Sequence, residues 1–176
     1  MACVYRSLGT RSPKSSAPPT RSAARASWPC ISPGSRSARA GLVVSVYGKT
    51  SLTRLGTCHP VLQELMRRAM ASCPPGSDWM IVCGHRGKAE QDAAFDSGAS
   101  KLRYPKSKHN VYPSMAVDVA PWVRGALSWF APDFLPIARH IKATWETMTE
   151  AERGGHTLSW GGDWTSFVDR PHWELR

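Results

Sequence analysis

A carboxylate in the middle of an apolar strand constrains this chain more than any other feature. The run Met115-Ala116-Val117-Asp118-Val119-Ala120 reads as a short strand. Side chains on a strand alternate between two faces. Met115, Val117 and Val119 therefore point into a core, and Ala116, Asp118 and Ala120 point the other way. The second face carries small residues, which leaves room for a metal beside Asp118. The chain ends on a similar pattern, with His172 and Glu174 on one face of a strand and Trp173 and Leu175 on the other. Adjacent pairing of these two strands would put Asp118 beside His172.

The remaining elements follow from periodicity and punctuation. Pro60 suits the first turn of a helix, and Val61, Leu62, Leu65, Met66, Ala69 and Met70 repeat at helical spacing until Pro74-Pro75-Gly76. Trp79 to Cys83 reads as a short buried strand, and Gly84-His85-Arg86-Gly87 as a turn. Ala89 to Ser97 reads as a helix closed by Gly98. A basic loop runs from Lys101 to Lys108. Phe134, Ile137, Ala138, Ile141, Trp145 and Met148 form one stripe of a long helix stopped by Gly154-Gly155. Leu158 to Trp160 and His172 to Leu175 read as the final strands, joined by the loop from Gly161 to Pro171. Helices and strands mix without βαβ regularity, so the expected class is α+β: a compact single domain with a central antiparallel sheet flanked by helices.

That domain is expected over residues 42–176. Residues 1–41 are rich in Ser, Arg, Ala and Pro and lack hydrophobic periodicity, so they are expected to form a disordered basic tail. The formal net charge of +10 is concentrated there. Residues 1–40 hold seven basic residues (Arg6, Arg11, Lys14, Arg21, Arg25, Arg36 and Arg39) and no acidic one. The rest has 23 − 7 = 16 basic against 13 acidic residues, a net of +3. A mildly basic domain suits a loose attraction to an anionic polymer such as a cell wall and does not require nucleic acid. The five cysteines include no CxxC pair, which argues against a disulfide framework. No apolar run approaches the length of a membrane span, and no apolar stretch follows the basic residues of the N-terminus as a secretory signal would require.

His109, Asp118 and His172 together offer two imidazoles and a carboxylate, enough to hold one zinc ion and leave a position open for chemistry. Zinc in such a site polarises a carbonyl and acidifies its water. A carboxylate must then carry the proton to the leaving amine, and Asp169, three residues before His172, is the candidate. Arg86 is the candidate donor to the developing oxyanion. Each residue also has a plainer role open to it: Asp118 as a strand-edge carboxylate, Asp169 as the cap of the turn before Pro171, and His59, His85, His140 and His156 as ordinary packed or surface imidazoles. A second metal set drawn from Cys58, His59, Cys73, Cys83 and His85 matches no finger or ribbon spacing, which leaves the cysteines as buried free thiols.

Three separated blocks fall in an order that resembles the zinc D,D-peptidase family. They are Ser107-Lys108-His109 through Ala116-Val117-Asp118, then Trp160-Gly161-Gly162-Asp163-Trp164, then Asp169-Arg170-Pro171-His172. Gly84-His85-Arg86-Gly87-Lys88-Ala89-Glu90-Gln91 resembles the family's stretch that carries an arginine at the substrate. The family includes D-alanyl-D-alanine carboxypeptidases and the L-alanyl-D-glutamate endopeptidases that phages use as endolysins, and the likeness spans roughly Lys49 to Leu175. It implies a compact α+β domain with His109, Asp118 and His172 as zinc ligands and Asp169 as base. It also implies Arg86 at the scissile carbonyl, and Ser107 orienting substrate or the ligand loop. The usual motif SxHxxGxAxD is stretched here by two residues between His109 and Asp118. Asp at the base position, together with the Trp-Gly-Gly-Asp-Trp block, leans toward the phage endopeptidases.

The expected activity is therefore zinc-dependent cleavage of the peptidoglycan stem peptide at the L-alanyl-D-glutamate bond by a monomeric endolysin. Such an enzyme would be held in the host cytoplasm until it reaches the wall. Two alternatives stay open at this point: a D,D- or L,D-carboxypeptidase that trims terminal D-alanine, and a non-catalytic module that binds cell wall or nucleic acid.

Overall fold

The computed structural model describes residues 45–176; the tail expected over residues 1–41 lies outside them. Helix α1 (Lys49–Leu55) leads through a turn to α2 (Pro60–Ala71), whose first turn carries Pro60 and whose N-cap is His59, with ring Nδ1 accepting the Val61 N–H at 3.3 Å. Strand β1 (Trp79–Cys83) and helix α3 (Lys88–Asp96) follow. Strand β2 (Ala116–Val123) turns back on the two-residue β3 (Ala126–Leu127) through Arg124 and Gly125. Both turn residues have positive φ, at 52° and 83°, the backbone that tight hairpins require. Helices α4 (Phe134–Thr147) and α5 (Glu150–Arg153) precede β4 (Leu158–Trp160) and β5 (His172–Leu175).

The sheet is antiparallel, with β1, β2, β5 and β4 side by side and β3 extending from β2. This is the α+β architecture expected. Its alternation divides the labour between two faces. Trp79, Ile81, Val117, Val119, Trp173 and Leu175 join Leu62, Leu65 and Met66 of α2 and Ile137, Ile141 and Trp145 of α4 in one buried core. Asp118, His172 and Glu174 occupy the opposite face. Antiparallel sheets with one apolar and one polar face are a stable solution because each strand's alternation serves both.

The long helical stripe is interrupted where the sequence showed no break. Met148 leaves the helix in an extended conformation, and Thr149 starts α5 by accepting the Glu152 N–H. Gly154 then closes α5 at φ 60°. The helix α1 and the short strand β3 had no clear signal in the sequence.

Ile141 is fully buried between α4 and the sheet. Ile141→Ala is expected to lower unfolding stability by about 2–5 kcal/mol, as measured by urea denaturation of the whole chain.

Candidate metal centre

The pairing of β2 with β5 sets Asp118 directly opposite His172. The two side chains meet, with His172 Nδ1 3.1 Å from Asp118 Oδ1. His109 arrives from outside the sheet, on the short 3-10 turn Lys108–Asn110. Ser107 caps that turn: its hydroxyl accepts the His109 N–H at 3.3 Å, while the Asn110 side-chain oxygen accepts the Ser107 N–H at 3.0 Å. The Arg86 N–H donates to the His109 carbonyl at 2.8 Å, and the Asn110 amide donates to the Arg86 carbonyl at 2.9 Å. Thus fastened, His109 places Nε2 3.1 Å from Asp118 Oδ1 and 3.2 Å from His172 Nδ1. The two extra residues between His109 and Asp118 are taken up by a loop whose Ser114 bonds back to Thr57 and His59.

The far side of each ring fixes what the near side offers. His109 Nδ1 lies 2.7 Å from the Gly84 carbonyl, which can only accept, so Nδ1 carries the proton. His172 Nε2 lies 3.2 Å from the Glu174 carboxylate and donates to it. In the neutral rings, His109 Nε2 and His172 Nδ1 therefore both aim lone pairs at Asp118 Oδ1. Three acceptors that face one another require protons or a cation between them. Second partners of this kind, a backbone carbonyl and a carboxylate, are what orient metal-ligating imidazoles. The donor set of two nitrogens and one carboxylate oxygen suits zinc and leaves a position open.

The electrostatics agree. Burial works against charge on His109, but Asp118 and Cys83 beside it push its pKa up to about 10. His172 is raised to about 9 against the same opposition by Asp118 and Glu174. Burial would raise Asp118, yet His109 and His172 hold it well below the usual carboxylate range. Glu174 is drawn down to about 2 by His172 and, on its other side, Arg176 at 2.7 Å. The pocket behaves as a place that wants positive charge.

Asp169 differs. Burial and the neighbouring Asp118 charge raise its pKa, while His172, His109 and Arg86 pull the other way. Its backbone is held by the Trp160-Gly161-Gly162-Asp163-Trp164 block. The Asp169 N–H donates to the Gly161 carbonyl at 2.9 Å, and the Trp160 indole N–H donates to the Arg170 carbonyl at 2.8 Å. A Cβ on Gly161 would lie 2.3 Å from the Asp169 carbonyl oxygen, so only glycine allows this approach. Trp160 stacks on Trp173 at 5.7 Å, and Trp164 lies 5.3 Å from the His172 ring.

Arg86 reaches the same pocket. One guanidinium nitrogen donates to Gln91 Oε1 at 3.1 Å; the other lies 3.4 Å from Asp118 Oδ2 and 3.5 Å from Cys83 Sγ. Sequence reasoning gave no role to Gln91 or Glu174, and weighed Cys83 only in a different metal set, with Cys58, His59, Cys73 and His85. Gln91 is fully buried, bonding Arg86, Asn110, Ser100 and the Leu102 carbonyl at once, and it stood within the quoted run Gly84 to Gln91. Glu174 was legible as the residue sharing a strand face with His172. Cys83 offers its sulfur within 4.8 Å of donor atoms of His109 and Asp118, a second possible metal-holding set that shares two members with the first. The set built around Cys58 and Cys73 does not assemble: Cys58 donates to backbone carbonyls of Arg54 and Ala116, and Cys73 to that of Ser77. His59 pairs edge-on with His156, His85 with Tyr112, and His140 bonds the Ala69 carbonyl at 2.8 Å.

An open cluster of two imidazoles and a carboxylate, with a proton-avid second carboxylate beside it, has the form of a candidate hydrolytic metal centre. Comparison with known proteins gives the family. Residues 43–175 match the family described as phage L-alanyl-D-glutamate peptidase, and the chain belongs to it. Among solved structures it is similar to the Serratia marcescens L-Ala D-Glu endopeptidase ChiX, at 28% identity and a TM-score of 0.57. That match covers 73% of this chain and 87% of the Serratia chain. No curated protein sequence matches.

The raised histidines give a pH signature to the metal-free protein. In the unfolded chain an imidazole titrates near 6.5; here the folded values are about 10 and about 9. Their stabilisation is therefore full below about pH 6.5 and is lost as pH climbs through the folded values. Chelator-treated protein is expected to lose urea resistance between about pH 7 and 10. With zinc bound the sign reverses, because protons compete for the imidazoles as pH falls. Parallel urea titrations across this range, with and without zinc, check both slopes.

Proposed function

We propose that residues 42–176 form a zinc-dependent endopeptidase domain that cuts the peptidoglycan stem peptide between L-alanine and D-glutamate, in the setting of a phage or prophage endolysin. The observation that carries this reading is the meeting of His109 Nε2, Asp118 Oδ1 and His172 Nδ1 within 3.2 Å, in a chain of the L-alanyl-D-glutamate peptidase family. The Serratia protein of similar structure, an L-Ala D-Glu endopeptidase, supports the choice of bond.

His109, Asp118 and His172 would hold the zinc ion, which when bound supplies Lewis acidity toward the scissile carbonyl and an acidified water. The rest is done by the chain. Asp169, whose proton affinity is raised by burial and by Asp118, takes the proton and delivers it to the departing amine of D-glutamate. Arg86, braced by Gln91, presents its guanidinium to the carbonyl oxygen as negative charge develops there. Ser107 holds the His109 turn in place through its cap. The basic loop over Lys101 to Lys108 favours the carboxylates of the stem peptide. Lys101 of this loop lies 5.7 Å from the Phe167 ring centroid, which brings two loops near the centre together.

Among the described residues no helix is long and apolar enough to cross a membrane. In this reading the enzyme is made in the host cytoplasm and meets the wall once the membrane is permeabilised.

Mass spectrometry of purified peptidoglycan digested with the full chain tests the bond. The expected result is chelator-sensitive release of peptides that begin with D-glutamate. Loss of terminal D-alanine alone would assign a carboxypeptidase instead. Asp169→Ala is expected to keep zinc and fold while kcat/KM falls by about 10²–10⁴; an active variant would remove Asp169 from the role of base.

A further inference from the structure

The register between β1 and β2 is not uniform. Trp79, Met80 and Ile81 pair with Pro121, Ala120 and Val119 in strict order, and continuation of that order would put Val82 opposite Asp118. Instead a bulge intervenes, and Cys83 faces Asp118. Directly opposed residues of an antiparallel pair share a face. An extra residue in one strand re-aims every side chain beyond it. The bulge therefore turns Cys83 onto the face that carries the metal centre, where the unshifted register would have set valine.

Because β2 lies between β1 and β5, Cys83, Asp118 and His172 form one row across three strands. His109 reaches Asp118 from outside the sheet. The Cys83 sulfur lies within 4.8 Å of donor atoms of both His109 and Asp118. Donors around a tetrahedral zinc ion stand about 3.3–3.8 Å apart, given ordinary zinc–nitrogen, zinc–oxygen and zinc–sulfur bonds. Toward His109 and Asp118 the remaining gap is on the order of 1 Å, within reach of a small rotation of one side chain; His172, outside that group of three, is the donor the sulfur has still to approach. The Arg86 guanidinium, 3.5 Å from the sulfur and 3.4 Å from Asp118 Oδ2, offers positive charge to a thiolate.

We propose that Cys83 is a fourth protein donor to the resting metal centre, closing with sulfur the position that the His109–Asp118–His172 set leaves open. This rests on the reading of that set as a metal centre. On coordination the thiol gives its proton to solvent, as thiols do when they bind zinc. A centre with four protein donors is of the structural type and a centre with three is of the catalytic type. Cys83 thus makes the resting site latent, and the sulfur must move off as the stem peptide enters. The latch is local: it needs only the bulge to relax, and the β2–β5 pair that holds Asp118 and His172 stays in place.

Cobalt(II) in place of zinc gives the test, because a cobalt–thiolate bond adds a charge-transfer band in the near ultraviolet that nitrogen and oxygen donors do not give. The full chain is loaded with cobalt and compared with Cys83→Ser and Cys83→Ala. The expected result is the charge-transfer band in the parent protein and its loss in both variants, with the visible ligand-field bands retained. Bound cobalt with ligand-field bands but no charge-transfer band in the parent would overturn the role of Cys83 and leave the metal centre standing. A band that persists in both variants would overturn it equally, by assigning the sulfur to another cysteine. Failure of the parent protein to retain cobalt or zinc would instead overturn the metal-centre reading itself. Titration of the parent protein with stem peptide should abolish the band as the sulfur departs; an unchanged band at saturation would contradict the latch.

Discussion

Two imidazole lone pairs and a carboxylate oxygen within 3.2 Å of one another are a repulsive arrangement unless positive charge lies among them. The rest of the molecule is organised so that they cannot separate. Asp118 and His172 are locked by strand pairing, and each is backed by core residues on the other face of its own strand. His109 is held by a capped turn whose backbone bonds to Arg86. The Gly84 carbonyl and Glu174 prevent the rings from turning their protonated nitrogens inward. Folding energy from the core thus maintains a site that only a cation or bound protons can neutralise.

The same pocket holds two carboxylates with opposite tendencies. Asp118 touches both imidazoles and is kept ionised, while Asp169 is buried beside that ionised neighbour and binds its proton more readily. Environments that separate two carboxylates in this way divide labour between a permanent charge and a proton carrier. Beyond its opening 3-10 turn Gly161–Asp163, the loop that carries Asp169 borrows order from the Gly161 carbonyl and from Trp160, which stacks on Trp173 of the adjacent strand. Lys142 of α4 bonds Asp163 in the same block, tying the loop to the helix that covers the core.

What could be read in the sequence was what alternation and periodicity encode. The strand around Asp118, its partner around His172 and the two amphipathic helices α2 and α4 have strong local patterns, and the structure has them near the expected places. The position of His109 was legible only as a loop residue, because its approach depends on a capped three-residue turn, on its own bond to Arg86 and on the bond of Ser114 in the following loop to Thr57, partners distant in sequence. The place of Cys83 opposite Asp118 was hidden for a sharper reason. Strict alternation along Trp79 to Cys83 takes no account of a bulge, and a bulge is a property of the strand pair. Gln91 looked like an ordinary helix polar residue; its burial is created by the loop from Ser100 to Asn110 folding over it. The break at Met148 is set by the Thr149 cap and the turn at Gly154, which a continuous apolar stripe conceals.

The central claim of the proposed function is that the fold holds a cation at the junction of β2, β5 and the His109 turn. A crystal structure of the full chain grown with zinc, with anomalous data collected at the zinc absorption edge, tests it most directly. The account predicts one strong anomalous peak bonded to His109 Nε2, Asp118 Oδ1 and His172 Nδ1, with Cys83 Sγ as the fourth donor in the peptide-free form. A catalytically active crystal form with no ion at that point, or with its zinc bound elsewhere, would contradict it.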